Sequence, residues 1–479
     1  MNRATSLTQR SFPMALLIAI VATPAFLLFT LAPAGLVSTD LFTLIGCGVF
    51  LVALLCVVLA GQRGQALDSA RRYLRFALVL WWSLLVSEVL FYRQGSDEAA
   101  FAGNFSAAAY YEAIFWGGIF LALLVIMIRG LAYLRGSFSR GNKWLSLFAL
   151  VALFSVSYSP RPFYSLAWAF KLLVVVLVLL FCSNTICDLN DIERFFWATF
   201  WGFVVLTLVP IARTFANPAT AFEGGRINDL ASPTGLAASA GTLFLLALTL
   251  NYLQKSAWLV GSVIVGATAM LMTGGKAGII AGVVSLMVFF ALQKRVGAGF
   301  GWVLGVAVLG CVVLATTPLA SYFTTYQEQG QFSTLTGRTD LWTAGVGAIT
   351  QHPILGNGYA AARFLSVQVE GIFAGAGHLH NGFLEALYGN GIFGLVPVLA
   401  MHVAVLRNVA AVMKATGRGE SNLMAVGILA LYTNVLINGS FNATFGGRAY
   451  SPFMLLMGLV VVSEALRKTV RAETRFPAS

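Results

Sequence analysis

Residues 337–395 concentrate the side chains of this chain that could do chemistry. Three of the four histidines lie there, although only 10% of the whole chain is charged. A neutral imidazole can accept a proton near neutral pH, because the ordinary pKa of histidine is about 6.5. His380 is followed by Asn381, whose amide could orient a substrate, and by Glu385 about one helical turn further on. We therefore predict that His380 acts as a general base.

Two plainer interpretations of these histidines stay open. His380 comes shortly before a predicted membrane span, where a histidine is often only a structural residue at a helix end. His378 and His380 are also spaced like a pair of metal ligands. However, no cysteine and no third histidine is close by in the sequence, and a zinc site needs three or four ligands. We therefore favour a site that does not bind a metal ion.

The composition is that of a membrane protein. The 479 residues are 58% hydrophobic with a mean hydropathy of +0.83, whereas soluble domains average about 45–50% apolar and about 25% charged residues. The five cysteines form no Cys-x-x-Cys pair and lie in or beside apolar runs, which favours small core residues over disulfides or metal ligands. No long polar block divides the chain, which favours one bundle of helices.

Fourteen apolar runs have roughly the 20-residue length that crosses a ~30 Å hydrocarbon layer. We predict an all-α polytopic membrane protein with about 12–14 transmembrane helices. The first run is predicted to be an uncleaved span, although residues 32–35 also resemble a signal-peptide cleavage site. The predicted spans are residues 14–34, 41–61, 73–92, 113–128, 144–159, 163–181, 195–212, 233–252, 257–275, 277–292, 301–318, 384–406, 423–440 and 451–466.

Most of the 30 lysine and arginine residues fall on one side of this topology. The positive-inside rule makes that side the cytoplasm and places both termini on it. The net charge of +12 then follows from membrane topology and does not indicate a nucleic-acid partner. The opposite, outer side has few cations and contains the one long loop, residues 319–383.

Three cations on the outer side are candidates for binding an anionic ligand. Arg226, Lys276 and Arg338 are far apart in sequence, but the topology places them at the same face as His380. Arginine offers a planar fork that matches phosphate oxygens, and lysine offers a compact charge. Lys276 follows two glycines, and backbone N–H groups of such a turn can add anion contacts. Each cation could instead be a helix-end side chain that only reaches the lipid headgroups.

The long outer loop carries a helical pattern of its own. Thr336 can cap a helix that begins near Gly337, and His352-Pro353 can end it. The apolar stripe of this helix is predicted to be Leu341, Trp342, Gly345 and Ile349. We therefore divide the chain into N-terminal transmembrane helices (1–318), a long outer loop with an amphipathic helix (319–383), and C-terminal transmembrane helices with a cytoplasmic tail (384–479).

Several stretches around these residues resemble the bacterial superfamily of O-antigen ligases and polysaccharide polymerases. Two weaker matches are Gly225-Arg226 before a span, and residues 273–278 (Thr-Gly-Gly-Lys-Ala-Gly), where the superfamily often has Thr-x-Ser-Arg. Lys276 keeps the charge of that arginine but not its fork. The stronger matches are residues 337–342 (Gly-Arg-Thr-Asp-Leu-Trp), 352–359 (His-Pro-Ile-Leu-Gly-Asn-Gly-Tyr), 380–385 (His-Asn-Gly-Phe-Leu-Glu) and 391–395 (Gly-Ile-Phe-Gly-Leu).

The resemblance implies a GT-C-like glycosyltransferase of the bacterial inner membrane, acting among membrane lipid at the periplasmic face. Its donor would be an oligosaccharide on undecaprenyl diphosphate, and its acceptor a lipid-linked repeat unit or lipid A core. In a metal-independent mechanism, His380 would deprotonate the acceptor hydroxyl. The diphosphate would be held by Arg226, Lys276 and Arg338, and the candidates for orienting the acceptor are Asp340, His378, Asn381 and Glu385.

The residues of the motifs at 337–342 and 378–385 favour a polymerase of exopolysaccharide or O-antigen over an O-antigen ligase. A transporter or flippase of lipid-linked glycans is the alternative from another class, and many spans would suit it. A transporter, however, typically places its central charges near the membrane midplane and shows repeated halves. Here the charges gather at one face and no repeat is evident.

Overall fold

The structure is a computed structural model. It describes residues 66–91, 107–129, 141–216, 227, 233–328, 338–365, 378–417, 419–442, 445–448 and 450–475. Within these ranges the chain forms α-helices and two short 3-10 helices, Ser155–Tyr158 and Ala361–Phe364, and contains no strand. The predicted all-α fold class is therefore confirmed.

The described ranges contain fourteen α-helices. They are α1 (Ala66–Leu90), α2 (Ala107–Arg129), α3 (Asn142–Phe154), α4 (Pro162–Thr185), α5 (Leu189–Ala216), α6 (Pro233–Gln254), α7 (Ala257–Met272), α8 (Lys276–Leu292), α9 (Val296–Thr316), α10 (Leu319–Glu328), α11 (Arg338–Gln351), α12 (Gly382–Thr416), α13 (Glu420–Phe441) and α14 (Ser451–Arg475).

Each predicted span from 73–92 onward overlaps one of these helices, and the spans 14–34 and 41–61 lie outside the described residues. Seven of the described helices are long and apolar enough to cross a membrane, namely α1, α4, α5, α6, α9, α12 and α13. Four more apolar helices are shorter, within or at α2, α3, α7 and α8. The chain is thus a polytopic membrane protein.

Helix α13 packs against four other helices, α6, α8, α12 and α14. Glycines allow the close approach to α6: a Cβ on Gly427 would lie 2.4 Å from Thr249, and one on Gly241 would lie 3.2 Å from Asn434. These two contacts run α13 antiparallel to α6, so the C-terminal end of α13 lies level with the start of α6.

The intramembrane charge Lys171 pairs with a different carboxylate from the one predicted. The sequence favours Glu88 as its partner because both residues lie near the outer ends of their spans. In the structure the ammonium of Lys171 contacts the Glu112 carboxylate and lies 4.2 Å from the centre of the Trp168 ring. Glu88 instead accepts a hydrogen bond from the Ser451 N–H at 2.8 Å, because the start of α14 is packed beside it.

We expect Lys171→Met to destabilise the protein, because it leaves the half-buried Glu112 carboxylate without its cation. The loss should be about 1–3 kcal/mol, between the values for surface and fully buried ion pairs. Thermal unfolding of the purified protein measures it, and the double variant Lys171→Met/Glu112→Gln should recover part of the loss. An unchanged melting temperature in the single variant would count against the pair.

Candidate active site

The loop 378–380 precedes α12, and Asn381 fixes the start of that helix. The Asn381 side-chain oxygen accepts hydrogen bonds from the N–H groups of Phe383 and Leu384 at 3.0 and 3.1 Å. This is the geometry of a helix N-cap. The Asn381 side-chain nitrogen donates to the Ser440 carbonyl at 3.1 Å. Asn381 therefore ties the start of α12 to the end of α13, a structural position beside the predicted base.

The Leu379 peptide unit is held from both sides. Its N–H donates to the Glu385 carboxylate at 2.5 Å, and its carbonyl accepts from the Trp342 indole N–H at 2.8 Å. Glu385 is only 5% exposed, and its carboxylate is the acceptor of this hydrogen bond. The Leu379 side chain is fully buried and lies over Gly345, where a Cβ would be 2.7 Å away. Helix α11 and helix α12 thus clamp the residue between the two histidines.

His380 has a backbone φ of +52°, in the left-handed region that non-glycine residues rarely adopt. Such a conformation costs about 1–3 kcal/mol and persists only where the surroundings enforce it. Here the enforcement comes from the clamp on Leu379 immediately before His380 and from the Asn381 cap immediately after it. The strain directs the His380 side chain and marks this position as a functional candidate.

The two imidazoles lie together, with ring centroids 4.0 Å apart and planes at 70°. The Nδ1 atoms of His378 and His380 are both buried and have no hydrogen-bond partner among the described residues. Burial and the positive charge of Arg338 lower the pKa of His380 to about 4. Burial, together with the neighbouring His380, lowers the pKa of His378 well below its ordinary value. Both rings are therefore neutral at neutral pH.

Arg338 begins α11 and faces the same loop. Its guanidinium donates to the side-chain oxygen of Asn442 at 3.4 Å, and its charge acts on both histidines. Asn442 follows α13 and is buried. The predicted helix is confirmed: its buried face includes Leu341, Gly345 and Ile349, and it ends before His352. Asp340 lies exposed in its first turn.

Lys276 is the first residue of α8. The preceding turn needs both of its glycines: Gly274 has φ +60°, and a Cβ on Gly275 would lie 3.0 Å from Ala237 in α6. Because Ala237 is near the start of α6, this turn lies level with the C-terminal end of α13. Lys276 is therefore at the same end of the bundle as Arg338 and His380. Arg226 lies outside the described residues.

Two further arginines approach the histidines, and sequence reasoning did not assign them to the site. The charges of Arg448 and Arg363 both contribute to the low pKa of His378. Arg448 donates to the Tyr164 hydroxyl at 3.3 Å and lies over the rings of Trp168 and Tyr450. Burial and the charge of Arg448 lower the pKa of Arg363 to about 10. The sequence signal that could have pointed to Arg363 and Arg448 is that both are among the few cations on the predicted outer side.

The stretch 353–358 is a structural support of the site. Helix α12 is kinked at Gly391 (φ +58°, ψ −153°), and the stretch bonds to the backbone exposed there. The N–H groups of Asn357 and Gly358 donate to the carbonyls of Tyr388 and Gly389 at 2.8 Å each. The N–H of Ile392 donates to the Pro353 carbonyl at 3.0 Å. These bonds hold the loop that follows α11 against the kinked part of α12. That part of α12 follows the histidines in the chain.

The described residues contain no group of three histidine, cysteine, aspartate or glutamate side chains that could hold a metal ion. The described site brings together a neutral histidine pair and Arg338, with Lys276 at the same end of the helical bundle. This arrangement can accept a proton from a hydroxyl and can stabilise a strongly anionic leaving group.

Residues 261–399 match the protein family described as O-Antigen ligase (Wzy_C). The matched region contains Lys276, Arg338, His378 and His380. The chain is also similar to the exopolysaccharide production protein ExoQ of Rhizobium meliloti (strain 1021). The two are 26% identical over 323 residues, which cover 61% of this chain and 69% of that protein.

These two comparisons support the resemblance to the superfamily of O-antigen ligases and polysaccharide polymerases that the motifs indicate. The resemblance of the short motifs is thereby confirmed over a longer region than the motifs span. The comparisons therefore support a membrane glycosyltransferase of the ligase or polymerase type. Arg448 lies beyond the matched region.

Proposed function

We propose that the protein is a polysaccharide polymerase of the bacterial inner membrane. It transfers a glycan from undecaprenyl diphosphate to a hydroxyl of the next lipid-linked repeat unit, with both termini cytoplasmic and the site periplasmic. The observation that carries the proposal is His380, a neutral and conformationally strained histidine beside Arg338. The similarity to an exopolysaccharide production protein favours polymerisation over ligation.

The reaction assigned to the site is a single displacement without a cofactor. The His380 imidazole takes the proton of the acceptor hydroxyl as the oxygen attacks the anomeric carbon of the donor sugar. The new C–O glycosidic bond forms while the bond from that carbon to the phosphate oxygen breaks. The diphosphate leaves with the electron pair as undecaprenyl diphosphate, and the proton on His380 passes to solvent.

The cations stabilise the charge that grows on the leaving diphosphate. Among these cations, Arg338 acts on His380 itself, because its positive charge lowers the pKa of that imidazole. Lys276 lies at the same end of the bundle, and Arg226 completes the proposed set. Asn381 and Glu385 support the reaction by fixing the loop, since their side chains are engaged by the backbone around His380.

Donor binding should adjust the basicity of His380. A pKa near 4 makes the free imidazole a weak base, and a diphosphate next to it favours the protonated form, which raises the pKa. The donor therefore brings the base closer to the operating pH, where general catalysis is most effective. The acceptor proton would then be removed only in the complex that contains the donor.

We expect Arg338→Gln to move the acid limb of kcat/KM to higher pH. His380 works in its neutral form above its pKa, so activity of the free wild-type enzyme falls as the pH drops through about 4. Removing the Arg338 charge raises the pKa of His380, and protonation then begins at higher pH. Both enzymes are assayed with the same donor, so titration of the donor cancels in the comparison. An unmoved or lowered limb would contradict the placement of Arg338 beside the base.

An O-antigen ligase is the second candidate, because the matched family carries that description. The two functions differ only in the acceptor. Purified protein in vesicles is supplied with a lipid-linked repeat unit, with and without lipid A core. A ladder of longer lipid-linked chains without the core identifies a polymerase. Product that appears only with the core identifies a ligase and overturns the polymerase proposal.

A further inference from the structure

Three asparagines form a polar strip near the outer end of α13. Asn434, Asn438 and Asn442 are spaced by four residues, and the first two therefore lie on one face of the helix. All three are buried, with exposed fractions of 1%, 1% and 4%. A row of buried amides in a membrane helix is costly and is typical of a functional surface. The strip has no role in the mechanism described above.

The side-chain amide of Asn434 is satisfied by hydrogen bonds within the protein, whereas the amides of Asn438 and Asn442 are satisfied only in part. The Asn434 side-chain nitrogen donates to Thr242 at 3.1 Å, and its oxygen accepts from Asn438 at 3.1 Å. In contrast, Oδ1 of Asn438 and Nδ2 of Asn442 are buried and lack a hydrogen-bond partner within the described part of the chain. Buried polar atoms are rarely left without a partner. One open acceptor and one open donor thus lie close together along the chain.

These open atoms border the site that contains His380. The oxygen of Asn442 accepts from Arg338, and the backbone of Ser440, between the two asparagines, accepts from Asn381. The strip thus begins at the cation assigned to the diphosphate and extends from it toward the interior of the bundle. Its open atoms are those of neutral amides. An amide oxygen disfavours a phosphate oxygen, whereas a donor–acceptor pair matches sugar hydroxyls.

We propose that Asn438 and Asn442 form a subsite for the hydroxyl groups of the donor sugar that is attached to the diphosphate. Oδ1 of Asn438 accepts from one hydroxyl, and Nδ2 of Asn442 donates to a hydroxyl oxygen. This subsite rests on the proposed function, because it requires a glycan on the diphosphate that Arg338 binds. Its consequence is discrimination between a lipid diphosphate that carries a sugar and one that does not.

The test compares two probes on purified full-length protein: undecaprenyl diphosphate, and undecaprenyl diphosphate that carries one hexose. We expect Asn438→Leu to weaken binding of the hexose-linked probe about tenfold, the effect of one hydrogen bond to a ligand. Binding of the bare diphosphate should not change. Asn442→Leu should weaken both probes, because it also releases Arg338.

The matched control is Asn408→Leu. Asn408 is a buried amide of α12 with one hydrogen bond, to Ser463, and one unpartnered oxygen. Its loss should leave the ratio of the two affinities unchanged. The ratio is also insensitive to a general loss of stability, and Asn438→Ser provides a smaller change if the leucine variant folds poorly.

The outcomes separate the subsite from the proposed function. A lowered ratio in the Asn438 variants, with an unchanged ratio in Asn408→Leu, supports the subsite. Wild-type binding of both probes with a ratio that Asn438 does not affect overturns the subsite and leaves the proposed function standing. Failure of the wild-type protein to bind either probe overturns the proposed function and the subsite with it.

Discussion

Replacement of His380 by alanine lowers the rate of glycan transfer by about 10²–10⁴-fold, the usual contribution of a general base. The reason is that His380 is the proposed base, and the neighbouring Glu385 carboxylate is engaged with the Leu379 N–H. Affinity for bare undecaprenyl diphosphate should change little, because the cations remain. The measurement is the initial rate of transfer in vesicles.

The left-handed backbone at His380 requires a second variant. Asparagine tolerates this backbone region better than most residues but is not a base at neutral pH. His380→Asn should therefore keep the fold and lose transfer to the same extent as the alanine variant. The matched control is His352→Ala, because His352 is exposed at the end of α11 and should be dispensable. Substantial transfer by His380→Asn would contradict the assignment of the base.

Replacement of Gly391 by alanine should strongly destabilise the protein. Gly391 has φ +58° and ψ −153°, a combination that is essentially restricted to glycine. A Cβ there would lie 2.1 Å from the Ile354 carbonyl oxygen, so the loop that locks onto α12 would have to move. We expect a loss of about 3–5 kcal/mol or failure to fold, from the combined strain and overlap.

Gly347→Ala is the control for this variant. Gly347 lies on the exposed face of α11 with no atom within 4 Å of the added Cβ. Alanine is favoured over glycine in a helix by about 0.5–1 kcal/mol, so this variant should be neutral or slightly more stable. Thermal unfolding of both purified variants makes the comparison. A Gly391→Ala protein that melts with the wild type would show that the kink is not tightly locked.

The sequence predicted the helices well because the signal is local. Long apolar runs can only be helices in a membrane, and every predicted span within the described ranges coincides with one. The amphipathic helix after residue 336 was also readable, because its stripe and its His352-Pro353 stop are local features. Even here the limits shifted: α12 extends to Thr416, well past the predicted end at residue 406.

The site was predictable only in part. The topology brought Lys276, Arg338 and His380 to one face because membrane orientation follows from loop charge. It could not show that Asn381 and Glu385 act on the backbone, since those contacts depend on α11 and α12 meeting in space. The predicted pairing of Lys171 with Glu88 was wrong for the same reason: the sequence does not show that Glu112, on α2, is the carboxylate beside it.

The most direct test of the central claim is the stoichiometry of donor consumption in vesicles that contain only purified wild-type protein. The donor is a lipid-linked repeat unit labelled in both sugar and lipid, assayed in the presence of a metal chelator. The account predicts that one undecaprenyl diphosphate is released for each glycosidic bond formed, at a rate that the chelator does not change. Movement of intact donor across the bilayer without new glycosidic bonds would contradict it and would identify a transporter.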